Sequence, residues 1–246
     1  MVAASDGWAE FLQLFKAIYM TMNKLLKITT DKSVDFLTYP TCHHTPLRFR
    51  RQTNYYEQIM LKHPLPSPFH SLAEYLHAGL LEADPAVQSY VPQPYQFNIN
   101  GKRYVPDIFV VRGNQKIVME LKPESKLPFH YEQYLVPFLQ KYHIRFEVIT
   151  NESVLAQEQK ALNWLKIVRV LVAAQQNRIR TSQLQDEIIS MLASSDEGME
   201  LGDLIDSGDR QRTYTMEIAV FRLAYAGLIS LTLDRAPLDF DTVITL

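Results

Sequence analysis

Apolar residues recur at helical spacing near residue 70 and in the C-terminal third of the chain, and short β-prone runs lie between. Phe69, Leu72, Ala73, Leu76 and Leu80 form one stripe and predict a helix over residues 70–82, capped by Ser67 or Ser71. Asp84-Pro85 ends it. Strands are predicted over 87–91, 95–99, 104–111, 116–122 and 145–150, with turns at Pro92-Gln93-Pro94, Asn100-Gly101 and Gly113-Asn114. A helix is predicted over 131–142, with Pro137 kinking it or shifting its start. Residues 153–176 read as a helix in two pieces, with Leu155, Leu162, Leu165, Val168 and Leu171 as core candidates. Helices at 184–193, 200–205 and 213–226 follow, the last ended by Gly227, then strands at 228–233 and 242–246. Five prolines make residues 29–68 mostly irregular, and residues 8–27 are helical in pattern.

This order predicts an α/β (α+β) fold, a mixed sheet flanked by helices. The last third reads as three helices and a two-stranded tip, a winged helix, which is a helix-turn-helix variant. The expected units are an N-terminal helix and arm (1–45), a sheet domain (46–150), and a helical linker with the winged helix (151–246).

Composition and charge add four constraints. At 246 residues and 47% hydrophobic content, the chain can build a sizeable core. A single cysteine, Cys42, excludes a disulfide framework and suits a reducing, cytoplasmic setting. Glu10, Lys16, Lys24 and Lys27 make the N-terminal helix too charged for a membrane span, so no membrane partner is expected. The net charge of −2 hides an asymmetry: residues 181–246 hold four Arg, no Lys and twelve acidic residues, a balance of −8. Residues 1–180 carry +6. The basic part favours DNA phosphates, and the acidic part a protein partner.

The candidate chemistry lies in Asp107 and, thirteen residues on, Glu120-Leu121-Lys122. Alternation along a strand puts Val118, Glu120 and Lys122 on one face, and Ile117, Met119 and Leu121 on the other. Carboxylates on adjacent strands lie roughly 5 Å apart, near enough to ligate one hard cation. Phosphodiester cleavage needs such a cation to activate water and offset phosphate charge, and a lysine to serve the water or the phosphate. On spacing alone a surface salt bridge explains the pattern equally well. Arg48, Arg50 and Arg51, followed by Tyr55 and Tyr56, are a candidate DNA-backbone grip, or simply a basic loop. Glu74 lies off the centre of its helical stripe, towards Leu81, which neither places it in a site nor excludes it. Cys42-His43-His44 lacks a second cysteine pair and is read as no metal site. No Gly-rich phosphate loop occurs, so the chain is not expected to hydrolyse ATP. Arg210, Arg212 and Arg222 lie among Asp203, Asp206, Asp209 and Glu217, a poor charge for a DNA-reading helix.

Four segments taken together resemble the TnsA family, the endonuclease subunit of heteromeric Tn7-type bacterial transposases. They are residues 71–76 (SLAEYL), 90–94 (YVPQP), 101–107 (GKRYVPD) and 119–123 (MELKP). The resemblance implies a restriction-endonuclease-like PD-(D/E)xK domain followed by a winged helix. It implies Glu74, Asp107, Glu120 and Lys122 as catalytic residues, with Asp107, Glu120 and Glu74 holding Mg²⁺ (Mn²⁺ as substitute) and Gln93 in support. It further implies cleavage of the 5′, non-transferred strand at transposon ends, beside a DDE transposase and an AAA+ regulator ATPase that docks on the acidic C-terminal region. Some members carry Gln where Glu120 stands. The alternatives are a restriction or repair nuclease of the same fold, or a non-catalytic adaptor for the ATPase.

Overall fold

The computed structural model describes residues 28–30, 40–43, 45–195, 197–205 and 208–246, so the helix expected over 8–27 lies outside it. In chain order, strand β1 (Ile28–Thr30) and the single-turn helix α1 (Leu47–Arg50) precede a hairpin of β2 (Tyr56–Ile59) and β3 (Pro66–Phe69). Helix α2 (Leu72–Ala83), β4 (Val87–Pro92), β5 (Phe97–Ile99), β6 (Lys102–Tyr104), β7 (Ile108–Arg112) and β8 (Gln115–Lys122) follow. Then come α3 (Glu132–Gln140), β9 (Ile144–Thr150), α4 (Asn151–Leu155), α5 (Glu158–Gln176) and α6 (Ser182–Ala193). The chain closes with β10 (Met199–Glu200), a 3-10 turn at Leu201–Leu204, α7 (Arg210–Tyr225), β11 (Ser230–Leu231) and β12 (Val243–Thr245). The protein is thus of mixed α and β structure.

The central sheet has the order β4-β7-β8-β9, antiparallel except for the parallel pair β8–β9. Its two faces follow the alternation in β8. Ile117, Met119 and Leu121 join the core under α2, with Leu76, Ala78 and Leu81. Val118 joins an aromatic core of Tyr95, Phe97, Tyr104, Phe109 and Phe129, with Leu135 and Leu139 of α3. Helix α3 runs through Pro137, which is exposed. The C-terminal third builds a further core around α7 and the small sheet β10-β12-β11. Helix α5 serves two cores: Ala161, Leu165 and Val168 pack towards α2, while Trp164, Ile167, Leu171 and Ala174 pack towards α7.

Four expectations need correction. The described part of residues 29–68 is mostly irregular, as expected, but it also holds the β2–β3 hairpin and α1, which were not expected. Pro66 and Pro68 are tolerated because β3 pairs with one neighbour only, so a missing N–H breaks no second ladder. The strand expected over 104–111 is two strands in different sheets, parted at Val105-Pro106-Asp107, where proline supplies no donor. Leu155 is 42% exposed: α4 stops there, and α5 restarts out of phase after Ala156 and Gln157. The C-terminal tip has three strands, because β10 pairs with β12. Gly198 (φ +82°) permits that approach, since a Cβ there would stand 2.5 Å from the Ile244 carbonyl oxygen.

Candidate active site

Helix α2 begins where the hydroxyl of Ser71 accepts the Glu74 N–H at 3.2 Å. The Glu74 carboxylate folds back, accepting the Ser71 hydroxyl at 2.9 Å and the His70 N–H at 2.9 Å. Glu74 therefore stands at the helix start, facing the ends of the central strands. At that edge β4 pairs with β7 through Pro92 and Ile108, and β7 with β8 through Ile108 and Met119. Carrying the second register one residue further brings Asp107 opposite Glu120. Asp107 Oδ2 accepts the Leu121 N–H at 2.8 Å.

Gln93 ties the helix to the strands. It is buried in the left-handed region, φ +48°. Its N–H donates to the Asp107 carbonyl at 2.8 Å and its side-chain amide to Glu74 at 3.4 Å, and the same amide hydrogen-bonds the Asp107 carboxylate. It is at once a turn residue and a site residue. Glu120 is 2% exposed. Its Oε1 is paired with the Lys122 ammonium, and its Oε2 accepts the Tyr104 hydroxyl at 2.6 Å. The Lys122 ammonium also lies 5.3 Å from the centre of the Phe129 ring.

The electrostatics follow from burial. Glu74 is pushed up to about 8 by burial and then by the charge of Asp107, against the hydrogen bonds from His70 and Ser71. Glu120 is pushed up to about 8 by burial and Asp107, with Lys122 opposing. Asp107 is raised by burial, opposed by Lys122 and by the Leu121 and Gln93 hydrogen bonds. For Lys122, burial favours the neutral amine, but Asp107 and Glu120 outweigh it and the ammonium is held above its ordinary value. Three carboxylates thus crowd against one ammonium, and further positive charge is what the cluster lacks. A hard divalent cation fits that donor set. Among the described residues, no three His, Cys, Asp or Glu side chains stand close enough to hold an ion unaided. Mg²⁺ is commonly held by one or two carboxylates, with water and substrate phosphate completing its shell.

Sequence reasoning missed three supports. Tyr104 was visible only as a residue near Asp107; its hydroxyl reaches Glu120 because the chain crosses between sheets. His43 uses both its N–H (3.2 Å) and its ring Nδ1 (3.0 Å) on the Gln93 carbonyl. Thr45 meets the His70 ring at 2.8 Å, and that ring packs edge-on against Phe49 at 4.9 Å. The arm before α1 is therefore bound to the site, and no local pattern signals this. Cys42 is partly buried and its thiol is pushed up to about 11 by burial, then by Glu57. His44 lies outside the described residues.

The three arginines of the basic cluster differ. Arg50 is engaged by Glu57 (3.5 Å), the Thr45 carbonyl (3.1 Å) and the Tyr55 ring (4.6 Å). Arg48 and Arg51 are exposed and form no ion pair among the described residues. In the C-terminal region Arg212 pairs with Glu187 at 2.6 Å and Arg222 donates to Thr181 at 2.6 Å, while Arg210 is exposed. Asp206 lies outside the described residues. Among the described residues no helix is long and apolar enough to cross a membrane. No protein-family model and no curated protein matches the sequence.

Proposed function

We propose that the chain is a metal-dependent DNA endonuclease, the TnsA-like subunit of a heteromeric transposase. Its central sheet would be a restriction-endonuclease-like core and its C-terminal third a winged helix. The observation that carries the reading is the meeting of Glu74, Gln93, Asp107, Glu120 and Lys122 at one sheet edge, although they come from four separate stretches of sequence. A chance surface salt bridge between Glu120 and Lys122 would not require a helix-borne carboxylate and a buried glutamine as well.

On this reading Asp107 and Glu120 hold Mg²⁺ or Mn²⁺, and Glu74 completes the acidic site. When bound, the ion lowers the pKa of a water and offsets charge developing at the phosphate. Lys122, held above its ordinary pKa, stays charged and serves to orient the water or hold a phosphate oxygen. Gln93 keeps Glu74 and Asp107 in register. Arg48 and Arg51 are the grips for the DNA backbone, and Arg50 ties α1 to β2 through Glu57. The acidic C-terminal region docks an AAA+ ATPase, and a DDE transposase cuts and joins the other strand. The protein works in the bacterial cytoplasm, on the nucleoid once assembled.

Strand cleavage at labelled transposon ends, reconstituted with the transposase and ATPase in Mg²⁺, tests the reading. Asp107→Ala is expected to lower 5′-strand cleavage by at least about 100-fold, the upper cost of losing merely an outer-shell partner of a metal. Cuts and joins on the 3′ strand persist. Identical products from both proteins would leave the adaptor reading in place. Cleavage that needs neither partner would favour a restriction or repair nuclease.

A further inference from the structure

Both oxygens of Glu120 are engaged, but by donors of different kinds. Lys122 reaches Oε1 with a long, flexible stem and a side chain 25% exposed. Tyr104 reaches Oε2 from a ring 8% exposed, held by Phe97, Phe129 and Tyr131 at centroid distances of 6.3, 5.9 and 5.2 Å. Tyr104 also belongs to a different sheet, β1-β5-β6, and only Val105 and Pro106 separate it from Asp107. One hydroxyl therefore joins the aromatic core to the carboxylate, and one short tether joins it to the neighbouring carboxylate. In this contact the phenol O–H is the donor and the carboxylate oxygen the acceptor.

We propose that Tyr104 is a positioning residue that fixes Glu120 by Oε2, leaving Oε1 as the oxygen that exchanges Lys122 for a metal ion. The assignment rests on the nuclease reading above. It makes Glu120 a single-oxygen ligand, since Oε2 is committed to a donor that cannot follow the ion. It also explains why a tyrosine stands three residues before Asp107: a hydroxyl carried by the aromatic core holds its aim while the Lys122 stem moves. Tyr104 itself touches no substrate.

Mn²⁺ binding, followed by electron paramagnetic resonance on the full chain, tests this without relying on activity. Tyr104→Phe is expected to weaken Mn²⁺ binding by about 10- to 100-fold, as loss of an outer-shell partner does. In a Glu120→Gln background the same change is expected to have little effect, because the carboxylate it positions is gone. A Tyr104→Phe protein that binds Mn²⁺ like wild type, while wild type binds Mn²⁺ and nicks DNA, overturns the role of Tyr104 and spares the nuclease reading. A wild type that neither binds Mn²⁺ nor nicks DNA overturns both. Should the phenylalanine loosen the fold, 3-fluorotyrosine at position 104 keeps the hydroxyl. Its fluorine signal is expected to broaden on Mn²⁺ addition, and an unchanged signal in a protein that binds Mn²⁺ overturns the proposal.

Discussion

Glu74 and Glu120 are each pushed up to about 8, so each binds a proton more tightly in the folded protein than in the unfolded chain. Stability from such groups is fully present below their unfolded values and is lost as pH rises through the folded ones. The metal-free protein is therefore expected to melt at progressively lower temperature between about pH 5 and pH 9. A cation that binds only the ionised carboxylates reverses this, because ligand binding to the folded state alone raises stability by mass action. Mg²⁺ is thus expected to raise the melting temperature more at pH 8 than at pH 5.5, read by calorimetry against a chelator control. An equal shift at both pH values would mean that Mg²⁺ acts away from these carboxylates. His77 is a different case: it is buried, neither ring nitrogen has a hydrogen-bond partner in the described residues, and burial then Arg112 push it down to about 4. We have no physical account of why a histidine stands there. At this scale, Glu120 and Lys122 were legible as neighbours because strand alternation puts them on one face of β8, whereas Asp107 lies in the break between β6 and β7 and was marked only by its spacing from Glu120. Glu74 was not legible from its stripe, since its carboxylate turns back on its own cap.

Helix α2 positions one end of the site, and its opposite face lies unusually close to α5. A Cβ added to Gly79 would stand 2.7 Å from the Ala161 carbonyl oxygen and 2.9 Å from Leu165 Cγ. Two effects oppose each other in Gly79→Ala. Alanine gains about 1 kcal/mol of helix propensity over glycine. Driving a methyl into a backbone oxygen in a packed core costs about 1–3 kcal/mol. The clash is expected to win, because a carbonyl inside α5 cannot yield as a side-chain tip can. Urea unfolding should show a net loss of up to about 2 kcal/mol from these terms; a gain would mean that the helices separate freely. The hydrophobic stripe predicted α2 and its serine cap, since both are local. It did not predict β2–β3, whose pairing is set by tertiary contacts. Tyr75 donates to Gln58 at 2.7 Å and Arg169 to Gln58 at 3.1 Å, so α2 and α5 hold β2 from outside it. Nor did it predict the break after Tyr104, because a β-prone run continuing past Pro106 looks like one strand until the second sheet is known.

The charge asymmetry between the two ends of the molecule was plain in composition, but the link between them was not. That link is Glu82 near the C-terminal end of α2, 1% exposed, which accepts the hydroxyls of Tyr90 (3.0 Å) and Tyr225 (2.9 Å) and the Lys62 N–H (3.0 Å). The Lys62 ammonium caps the Leu81, Glu82 and Asp84 carbonyls and lies 5.1 Å from the Tyr225 ring centre. Tyr225 ends α7, 143 residues from Glu82, a separation over which no sequence pattern speaks. The same α2 carries Glu74 at its other end. The hydrogen bond from Tyr225 to Glu82, and then α2 itself, therefore link the end of α7 to the helix that carries Glu74. Two observations predict that both halves unfold together: α5 lends its faces to two cores, and Glu82 is buried with donors from both sides. Tyr225→Phe leaves the ring and removes one donor to a buried carboxylate, a loss of about 1–3 kcal/mol. Unfolding is expected to shift by that amount and remain one transition, with Trp164 fluorescence, reporting the C-terminal core and read with Trp8 replaced by Phe, and far-UV circular dichroism coinciding. Separate transitions in the wild type would mean that α5 does not bind the two cores into one cooperative unit.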